Sequence, residues 1–319
     1  MKIFKTSLVA LLTVLFILPV HAKTYKIGIT QIVEHPALDS CRKGVEDELK
    51  AQGLIVGKNL KISFESAQGS PATAAQIARK FVGEQLDLVV GIATPSAQTL
   101  LQATHGKIPV VFSAVTDPVG AKLVDSLKKP NKSSGVSDLS PVAEHLKLIK
   151  KLVPNVKSIG IVYNAGEANS VTLVKLAKQA AKSLSLKIVE ATAAKTAEVQ
   201  TSAQSLIGKV DAFYSLTDNT IVSAFESLAK VANQSKIPLI AADTDSVKRG
   251  AIAALGFNYY DLGRQTGNIV MRVLKGEKVG SIPVESVSKL DLVINMKAAI
   301  KQGVTFSQDI IKQAKEIIK

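Results

Sequence analysis

The sequence predicts an α/β fold with two doubly wound parallel-sheet lobes and a ligand cleft between them. Short runs of aliphatic and β-branched residues alternate with longer amphipathic segments along almost the whole chain. This alternation is typical of a parallel sheet covered by helices on both faces. The pattern starts again partway along the 319 residues, and 46% of the residues are apolar, which is enough to bury two cores.

The first 22 residues have the three parts of a secretory signal peptide. Lys2 and Lys5 form a basic start, residues 8–20 an apolar centre, and Val20-His21-Ala22 a small-residue cleavage site. The apolar centre is shorter than the roughly 20 residues that span a bilayer. We therefore expect cleavage before Lys23 and export of the mature chain, without a lipid anchor because no cysteine stands at the cleavage point.

Eight of the predicted strands fall into two matching sets. The first set is expected at residues 25–30, 60–66, 86–93 and 108–114, with helices at 38–51 and 72–84, and the second at residues 158–164, 186–192, 210–217 and 237–243. Three pairs match in the same order: KIGIT with SIGIV, LDLVVGIATPS with VDAFYSLTDNT, and KIP at 107 with KIP at 236. This order indicates a duplicated α/β lobe.

The segment at residues 129–141 is rich in Gly, Ser and Pro and is predicted to be the linker between the lobes. A strand at 251–257, a helix at 260–274, a strand at 289–295 and a terminal helix follow the second set. They are too few for a third domain, so we expect the lobes to share them. The predicted domains are the signal peptide at 1–22, one lobe of 23–136 with about 259–287, and another of 137–258 with about 288–319.

Composition excludes several classes of protein. Cys41 is the only cysteine, so an intramolecular disulfide is impossible, and we interpret it as a buried helix residue rather than a catalytic thiol. The net charge of +14 raises the question of nucleic acid or an anionic membrane surface. The lysines are spread at helical spacings and no Trp lies among them, which favours solvated helix faces and no nucleic-acid partner.

Polar residues follow nearly every predicted strand, where ligands bind in open α/β sheets. The candidate binding residues in the first half are Gln31, Gln68, Thr94, Ser96, Ser113, Thr116 and Asp117. Those in the second half are Asn164, Glu167, Asn169, Ser170, Asp218, Asn219, Asp243 and Asp245.

The residue types leave two roles open for most of these positions. Thr94 and Ser96, without a nearby Lys or Arg, are either helix caps or the binding site of a carboxylate. Asp218, Asp243 and Asp245 are either caps or acceptors for an ammonium group. The two close acids do not have the context of an EF-hand, and the histidines are isolated, so we expect no metal.

Catalytic motifs are absent from the sequence: it has no nucleophile elbow, P-loop, dinucleotide fingerprint or paired-cysteine motif. His35 is the only histidine at a strand end, and it has no evident nucleophile. We therefore expect a binding protein that is not an enzyme and has no cofactor. The candidates for an aromatic pocket are Phe112, Phe257, Tyr163, Tyr259 and Tyr260, each of which also fits core packing.

Seven segments carry a resemblance to a known family. They are HPALD (35–39), AQGSP (67–71), VVFSAVTDPVGAKLV (110–124), GVSDLSP (135–141), YNAGEANS (163–170), TDNTIVSA (217–224) and GFNYYDLGRQTG (256–267). The sequence resembles the type I periplasmic binding proteins that serve ABC importers, in particular those for tryptophan and other aromatic amino acids. The resemblance covers nearly all of residues 24–310.

This resemblance implies a monomeric periplasmic protein that captures an amino acid in the cleft and delivers it to a membrane permease. The side chain would be aromatic, as in tryptophan or phenylalanine, or branched and apolar. Thr94 and Ser96, helped by Asn169 and Ser170, would hold the carboxylate. Asp218, with Asp117 or Asp245, would hold the ammonium, and the last two are expected on opposite walls of the cleft. A sugar or nucleoside receptor and a periplasmic sensor module of the same fold remain alternatives.

Overall fold

The computed structural model describes residues 23–319, so the expected signal peptide lies outside the described residues. The strands are β1 (Tyr25–Gln31), β2 (Leu60–Ser66), β3 (Leu88–Ile92), β4 (Val110–Ser113), β5 (Ser134–Ser137), β6 (Ser158–Tyr163), β7 (Lys187–Thr192), β8 (Ala212–Ser215), β9 (Leu239–Ala241), β10 (Ala253–Gly256), β11 (Glu285–Ser286), β12 (Asp291–Asn295) and β13 (Glu316–Ile318). The helices are α1 (Pro36–Ala51), α2 (Pro71–Gly83), α3 (Thr94–Thr104), α4 (Val142–Leu152), α5 (Ala168–Ser183), α6 (Val199–Gln204), α7 (Asn219–Ser223), α8 (Phe225–Ser235), α9 (Asp245–Lys248), α10 (Tyr259–Leu274), α11 (Met296–Lys301) and α12 (Gln308–Gln313).

Two mostly parallel sheets organise the chain. The first has the order β11-β5-β4-β3-β1-β2 and the second the order β13-β12-β10-β9-β8-β6-β7. Only the β10–β12 pair is antiparallel among the described strands. The order β2-β1-β3-β4 of the first sheet returns as β7-β6-β8-β9 in the second, as a duplicated lobe requires. We call each sheet, together with the helices packed on it, the first and the second lobe.

All ten strands predicted from the sequence are present, with ends that differ by a few residues. Three further strands, β5, β11 and β13, were not predicted. The β5 segment SGVS lies inside the predicted linker, and its composition is that of a loop. It forms a strand because it is buried between β4 and β11.

The chain crosses between the sheets after β5, after β10 and after β11. Helix α10 follows a strand of the second sheet but packs on α1 of the first lobe. A Cβ atom on Gly44 would lie 2.1 Å from the carbonyl oxygen of Tyr260, and one on Gly263 would lie 1.9 Å from that of Cys41. Glycine is therefore needed where these two helix backbones touch. The lobe boundaries expected from the sequence remain a proposal, which the sheet membership supports.

Apolar cores lie between each sheet and its helices. Because all parallel strands of a sheet end at the same edge, the carboxyl ends of β1, β3 and β4 share one edge, and those of β6, β8 and β9 share another. These two edges face each other across the cleft. Among residues 23–319, no helix has both the length and the apolar character needed to cross a membrane.

Candidate functional site

A cavity lies between the carboxyl ends of the two sheets, and we call it the inner cavity. It contains about 340 Å³ of space free of protein atoms, open solvent included. One side of the cavity is formed by the first lobe and by the segments that cross between the lobes. Its lining residues are His35, Ala37, Leu38, Thr94, Ala114, Thr116, Asp138 and Tyr259. The side that belongs to the second lobe is lined by Asn169, Thr217, Asn219, Val222 and Asp243.

The first turn of α3 contributes uncapped backbone N–H groups to this site. The residue before it, Ala93, has φ 71° and ψ 157° and provides no side-chain cap. This region of backbone conformation is normally restricted to glycine and costs about 1–3 kcal/mol. Such strain persists where the surrounding structure imposes it. Here it places Thr94 at the cavity, at the positive end of the α3 dipole.

Four buried polar atoms near the cavity have no hydrogen-bond partner within residues 23–319. They are Thr94 Oγ1 and Ser96 Oγ in the first lobe, and Asn169 Oδ1 and Thr217 Oγ1 in the second. An unpaired buried polar atom costs about 1–3 kcal/mol. Because three of these residues line the inner cavity from opposite lobes, their polar atoms are suited to a polar ligand that both lobes contact.

Hydrogen bonds fix the orientation of the Asn169 amide. Its Nδ2 donates to Glu167 Oε2 at 3.1 Å and to the carbonyl oxygen of Thr217 at 3.2 Å. Both partners can only accept, so the amino group must face them and Oδ1 must be the atom left unpaired. Asn169 therefore offers an acceptor, and a ligand N–H group is its natural partner.

Two acids line the inner cavity. Asp243 accepts from Ser246 N at 2.8 Å and from Ser246 Oγ at 2.7 Å. Asp138 accepts from Thr116 Oγ1 at 3.2 Å and from the Tyr259 hydroxyl at 2.8 Å. Burial raises the pKa of both carboxyl groups.

The described lining residues supply no positive charge to offset these acids. They include no Lys or Arg, and burial lowers the pKa of His35 to about 3, so its ring is neutral at physiological pH. A cationic group on the ligand would therefore be favoured in this cavity. Within residues 23–319, no three His, Cys, Asp or Glu side chains are grouped so as to hold a metal ion.

A wider space, which we call the outer groove, adjoins the inner cavity. It contains about 1380 Å³ of space free of protein atoms and shares Asn219 with the inner cavity. Its lining includes Ile32, Val33, Gln68, Gln98, Asn164, Glu167, Lys195 and Thr220. Residues of both lobes line it, so the groove is the mouth of the cleft.

The structure divides the sequence-predicted site residues into three groups. Those that line the inner cavity are Thr94, Thr116, Asn169, Asn219 and Asp243. Those that line only the outer groove are Gln68, Asn164 and Glu167. Those that line neither space are Gln31, Ser96, Ser113, Asp117, Ser170, Asp218 and Asp245.

Asp218 is a helix cap in the structure and does not reach the cavity. Its Oδ1 accepts from Ile221 N at 2.9 Å and its Oδ2 from Asn164 N at 2.6 Å, and the residue is fully buried. Burial and, after it, the negative charge of Glu167 raise the pKa of Asp218 to about 7. Asp218 therefore holds the second-lobe wall together, and the expectation that it contacts a ligand ammonium is not supported.

Asp117 and Asp245 do not face each other across the cavity, contrary to the expectation from the sequence. Asp117 Oδ1 accepts from Gly120 N at 2.9 Å in the loop after β4, and Asp245 is the first residue of α9. Asp117 therefore serves its local turn, and neither acid lines the inner cavity or the outer groove.

Three other predicted residues are tied to their own lobe. Ser113 Oγ lies 3.0 Å from Cys41 Sγ and 2.6 Å from Thr266 Oγ1. Gln31 Nε2 donates to Asp39 Oδ1 at 2.7 Å. Ser170 is fully buried beside Asn169. These contacts explain why polar residues at strand ends do not all reach the cleft.

Asp138, Thr217 and Val222 line the cavity but were not singled out from the sequence. Asp138 was missed because it follows β5, which reads as a linker. Of the five aromatic candidates, only Tyr259 lines the cavity. Phe112 and Phe257 are buried elsewhere, and the other two donate their hydroxyl groups to acids outside the cavity, Tyr163 to Glu190 and Tyr260 to Asp47.

Residues 26–318 match the family model described as ABC transporter substrate binding protein. The chain belongs to this family. As an ABC transporter substrate-binding protein, it acts outside the cytoplasm, binds a small molecule and delivers it to an ABC permease.

Relatives of this substrate-binding protein have named ligands. The tyrosine-binding protein of Clostridioides difficile (strain R20291) is 43% identical over 274 residues, which cover 86% of this chain and 79% of the relative. An ABC domain from Streptococcus pneumonia, solved in complex with L-Trp, is 38% identical with a TM-score of 0.89. The alignment covers 93% of this chain and 100% of that one.

A third relative indicates which arrangement of the lobes is described here. It is a substrate binding protein with adhesive properties from Clostridium difficile, in its ligand-free, open structure, and it is also 38% identical over 93% of this chain and 100% of its own. Its TM-score is only 0.69. Since identity and coverage equal those of the L-Trp complex, the lower score indicates a different lobe arrangement. The lobes of this substrate-binding protein are arranged as in the ligand-bound relative.

Proposed function

We propose that this substrate-binding protein captures a single aromatic α-amino acid, such as tyrosine, tryptophan or phenylalanine, and delivers it to an ABC permease. The observation that carries this proposal is the polarity of the inner cavity. The first-lobe wall offers the N-terminus of α3 and the Thr94 hydroxyl, whereas the second-lobe wall offers Asn169 Oδ1 and the Asp243 carboxylate. The start of α3 suits a carboxylate, whereas Asn169 Oδ1 and Asp243 suit an ammonium. The tyrosine-binding and L-Trp-bound relatives support an aromatic side chain.

The ligand carboxylate binds at the start of α3. Uncapped N–H groups and the positive end of the helix dipole favour an anion there without a Lys or Arg. The unpaired hydroxyl of Thr94 supplies a further donor, and Ser96 stands in the same turn. Hydrogen bonds to charged groups contribute about 1.5–3 kcal/mol each.

The ligand ammonium binds to the second lobe. Asp243 supplies the negative charge, Asn169 Oδ1 supplies a neutral acceptor, and Asp138 adds a second carboxylate at the crossing between the lobes. This role of Asp243 replaces the one expected for Asp218. An ammonium in this position offsets the cost of burying carboxylates, which is the cause of their raised pKa.

Apolar side chains remain for the side chain of the ligand. Ala37, Leu38, Ala114 and Val222 line the cavity together with the ring of Tyr259. A sugar or nucleoside is less favoured because such ligands are usually sandwiched between aromatic rings, and a branched apolar amino acid remains the nearest variant of the proposal.

We further propose that the chain functions as a monomer in the periplasm after removal of residues 1–22. No chemical step is needed for capture and delivery, so we expect no turnover of the ligand. A sensor module of the same fold would bind the same ligand, and only the membrane partner would differ.

The test is a binding panel on the chain that begins at Lys23. Thermal unfolding is measured with each of the common amino acids, nucleosides and sugars, and responses are followed by calorimetric titration. A ligand at about 100 times its Kd stabilises the fold by about 2.7 kcal/mol, so L-Tyr, L-Trp or L-Phe should raise the Tm by several degrees. Tyramine and 3-(4-hydroxyphenyl)propionate, which lack the carboxylate and the ammonium respectively, should each bind at least tenfold more weakly than tyrosine. A response to sugars or nucleosides alone would overturn the proposal.

A further inference from the structure

The second sheet is covered by a layer of helices on each face. Side chains point alternately to the two faces along each strand. Ile159, Ile161 and Tyr214 pack with α4, α5, α11 and α12, whereas Val162 and Phe213 pack with α6, α7, α8 and α9. The two groups of helices therefore lie on opposite faces of the same sheet.

The two layers differ strongly in charge. Helices α6, α7, α8 and α9 contain two lysines and two acids, which are Lys230, Lys248, Glu226 and Asp245. Helices α4, α5, α11 and α12 contain only two acids, Glu144 and Asp309. Their nine lysines, all exposed, are Lys147, Lys150, Lys151, Lys175, Lys178, Lys182, Lys297, Lys301 and Lys312. We call the outer surface of these four helices the basic face.

Two hydrogen bonds show that helices of the basic face are neighbours. Lys150 Nζ donates to the carbonyl oxygen of Leu184, directly after α5, at 3.0 Å. Lys151 Nζ donates to Gln313 Oε1, at the end of α12, at 3.3 Å. Helix α4 therefore adjoins both α5 and α12, and the lysines of these three helices share one surface.

Little negative charge lies among the lysines of the basic face. Within residues 23–319, only two of the nine form an ion pair, Lys147 with Glu144 at 2.7 Å and Lys178 with Glu190 at 2.6 Å. Like charges that are held close together repel each other. The accumulation of lysines on one face is therefore not explained by the stability of the fold, and it indicates an anionic partner.

The residue types of the basic face favour a lipid surface over nucleic acid. Its four helices contain no Arg, Trp, Tyr or Phe, so they offer neither a ring for base stacking nor a guanidinium for bidentate contacts with phosphate. Lysine is a flexible point charge that suits a surface of spread negative charge. Ile300, which is 75% exposed and stands between Lys297 and Lys301, suits the apolar depth just below lipid headgroups.

We propose that the basic face attracts this substrate-binding protein to the anionic phospholipid surface of the membrane that contains its permease. Association through spread lysines is reversible and is screened by salt. The protein then searches for the permease along a surface instead of through the whole solution. None of the nine lysines lines the inner cavity or the outer groove, so attraction to the membrane does not depend on the ligand.

The test measures how the chain that begins at Lys23 partitions onto sedimented vesicles. Vesicles of phosphatidylglycerol mixed with phosphatidylcholine are compared with vesicles of phosphatidylcholine alone. Each is used at about 0.01 M salt, where the screening length is about 30 Å, and at about 1 M salt, where it is about 3 Å. We expect binding to the vesicles with phosphatidylglycerol at low salt, and loss of that binding at high salt or without the anionic lipid.

Two variants with equal net charge show whether the position of the lysines matters. The basic-face variant combines Lys175→Gln, Lys182→Gln, Lys301→Gln and Lys312→Gln. The control variant changes four exposed lysines elsewhere and combines Lys58→Gln, Lys61→Gln, Lys107→Gln and Lys230→Gln. One lysine near an anionic surface raises partitioning about fivefold. The basic-face variant should therefore partition at least tenfold more weakly than the wild type, whereas the control variant should partition like the wild type.

Thermal unfolding of the same variants, with and without L-tyrosine, reports folding and the proposed function separately from membrane binding. Both variants should have the Tm of the wild type and the same response to the ligand. Equal partitioning of the two variants would overturn the proposal, because only the net charge would then matter. No binding of the wild type to anionic vesicles at low salt would also overturn it. A single-stranded oligonucleotide serves as the other polyanion, and the proposal fails if the basic-face substitutions weaken its binding but leave vesicle binding unchanged.

Discussion

Asp243 is the main proposed contact of the ligand ammonium. Its substitution by Asn tests how much the negative charge of this side chain contributes to binding. Asn at this position keeps an oxygen to accept from Ser246 N, so the start of α9 should remain intact. The loss of one charge-assisted contact, about 1.5–3 kcal/mol, should weaken amino-acid binding about ten- to hundredfold in calorimetric titration. Asp245→Asn, two residues away and outside the cavity, is the control and should bind like the wild type. Equal affinity for Asp243→Asn and the wild type would contradict the ammonium assignment.

Because burial raises the pKa of Asp243, the proposed contact between Asp243 and the ligand ammonium should depend on pH. Ligand binding requires the charged carboxylate, so affinity should fall as the pH drops through the raised pKa of Asp243. The stability of the ligand-free fold should change in the opposite direction and rise as the pH falls. Its pKa lies above the unfolded value of 3.8, so between the two values the folded chain holds more protons and gains stability as the pH falls. Comparing titrations and melting curves of the wild type and Asp243→Asn isolates both effects from those of other groups.

The roles of Asp218 and Asp243 show how far single residues can be predicted from sequence. Both follow a parallel strand and accept from backbone N–H groups of the next helix. The sequence therefore predicts a cap or a ligand contact at each. The remaining oxygen of Asp243 accepts from Ser246 Oγ within the same turn, whereas that of Asp218 accepts from a second segment, at Asn164. That contact depends on the packing of β6 beside β8, which no local pattern contains.

The start of α3 offers a test in which stability and binding change in opposite directions. Thr94→Val keeps the shape of the side chain but removes a buried hydroxyl that has no partner among the described residues. The closed form of the ligand-free chain should gain about 1 kcal/mol or more in unfolding free energy, because the cost of an unpaired buried group disappears there. Binding should weaken at least tenfold, because the ligand carboxylate loses a donor.

Thr116→Val is the matched control for that change. The Thr116 hydroxyl donates to Asp138, so its removal leaves a buried carboxylate with one partner fewer and should lower the Tm of the ligand-free chain. Urea unfolding with and without L-tyrosine measures both variants. A loss of stability in Thr94→Val similar to that in Thr116→Val would mean that the Thr94 hydroxyl is structural.

Helices and strands were predictable where their pattern is local. Strand β2 has the same bounds in the sequence prediction and the structure, because LKISFES is a seven-residue run with loops on both sides. The four residues of β5 were not predicted, although all are buried. Their strand conformation comes from neighbours on both sides in the sheet, and the same neighbours bring Asp138 to the cavity. The missed strand and the missed site residue therefore have one cause.

The chain forms two similar lobes and crosses between them three times. This arrangement explains why residues from distant parts of the chain line the same cleft. Duplication places the carboxyl ends of both sheets on facing edges, so Thr94 and Asn169 reach one cavity although they belong to different lobes. The sequence predicted this arrangement from the matched strand pairs. It did not predict which strand ends come closest, because that depends on the angle between the lobes.

The same arrangement predicts that the ligand controls the angle between the lobes. In the closed form, three buried polar atoms of cavity-lining residues from both lobes, Thr94 Oγ1, Asn169 Oδ1 and Thr217 Oγ1, have no partner within residues 23–319, and at about 1–3 kcal/mol each they favour opening when no ligand is bound. A ligand that pairs with them shifts the population toward closure. Small-angle scattering of the chain from Lys23 should therefore give a larger radius of gyration without ligand than with saturating L-tyrosine. D-Glucose at the same concentration is the control and should leave the ligand-free value unchanged. If the radius with L-tyrosine equals that without it under conditions where titration shows binding, the unpaired atoms do not govern closure.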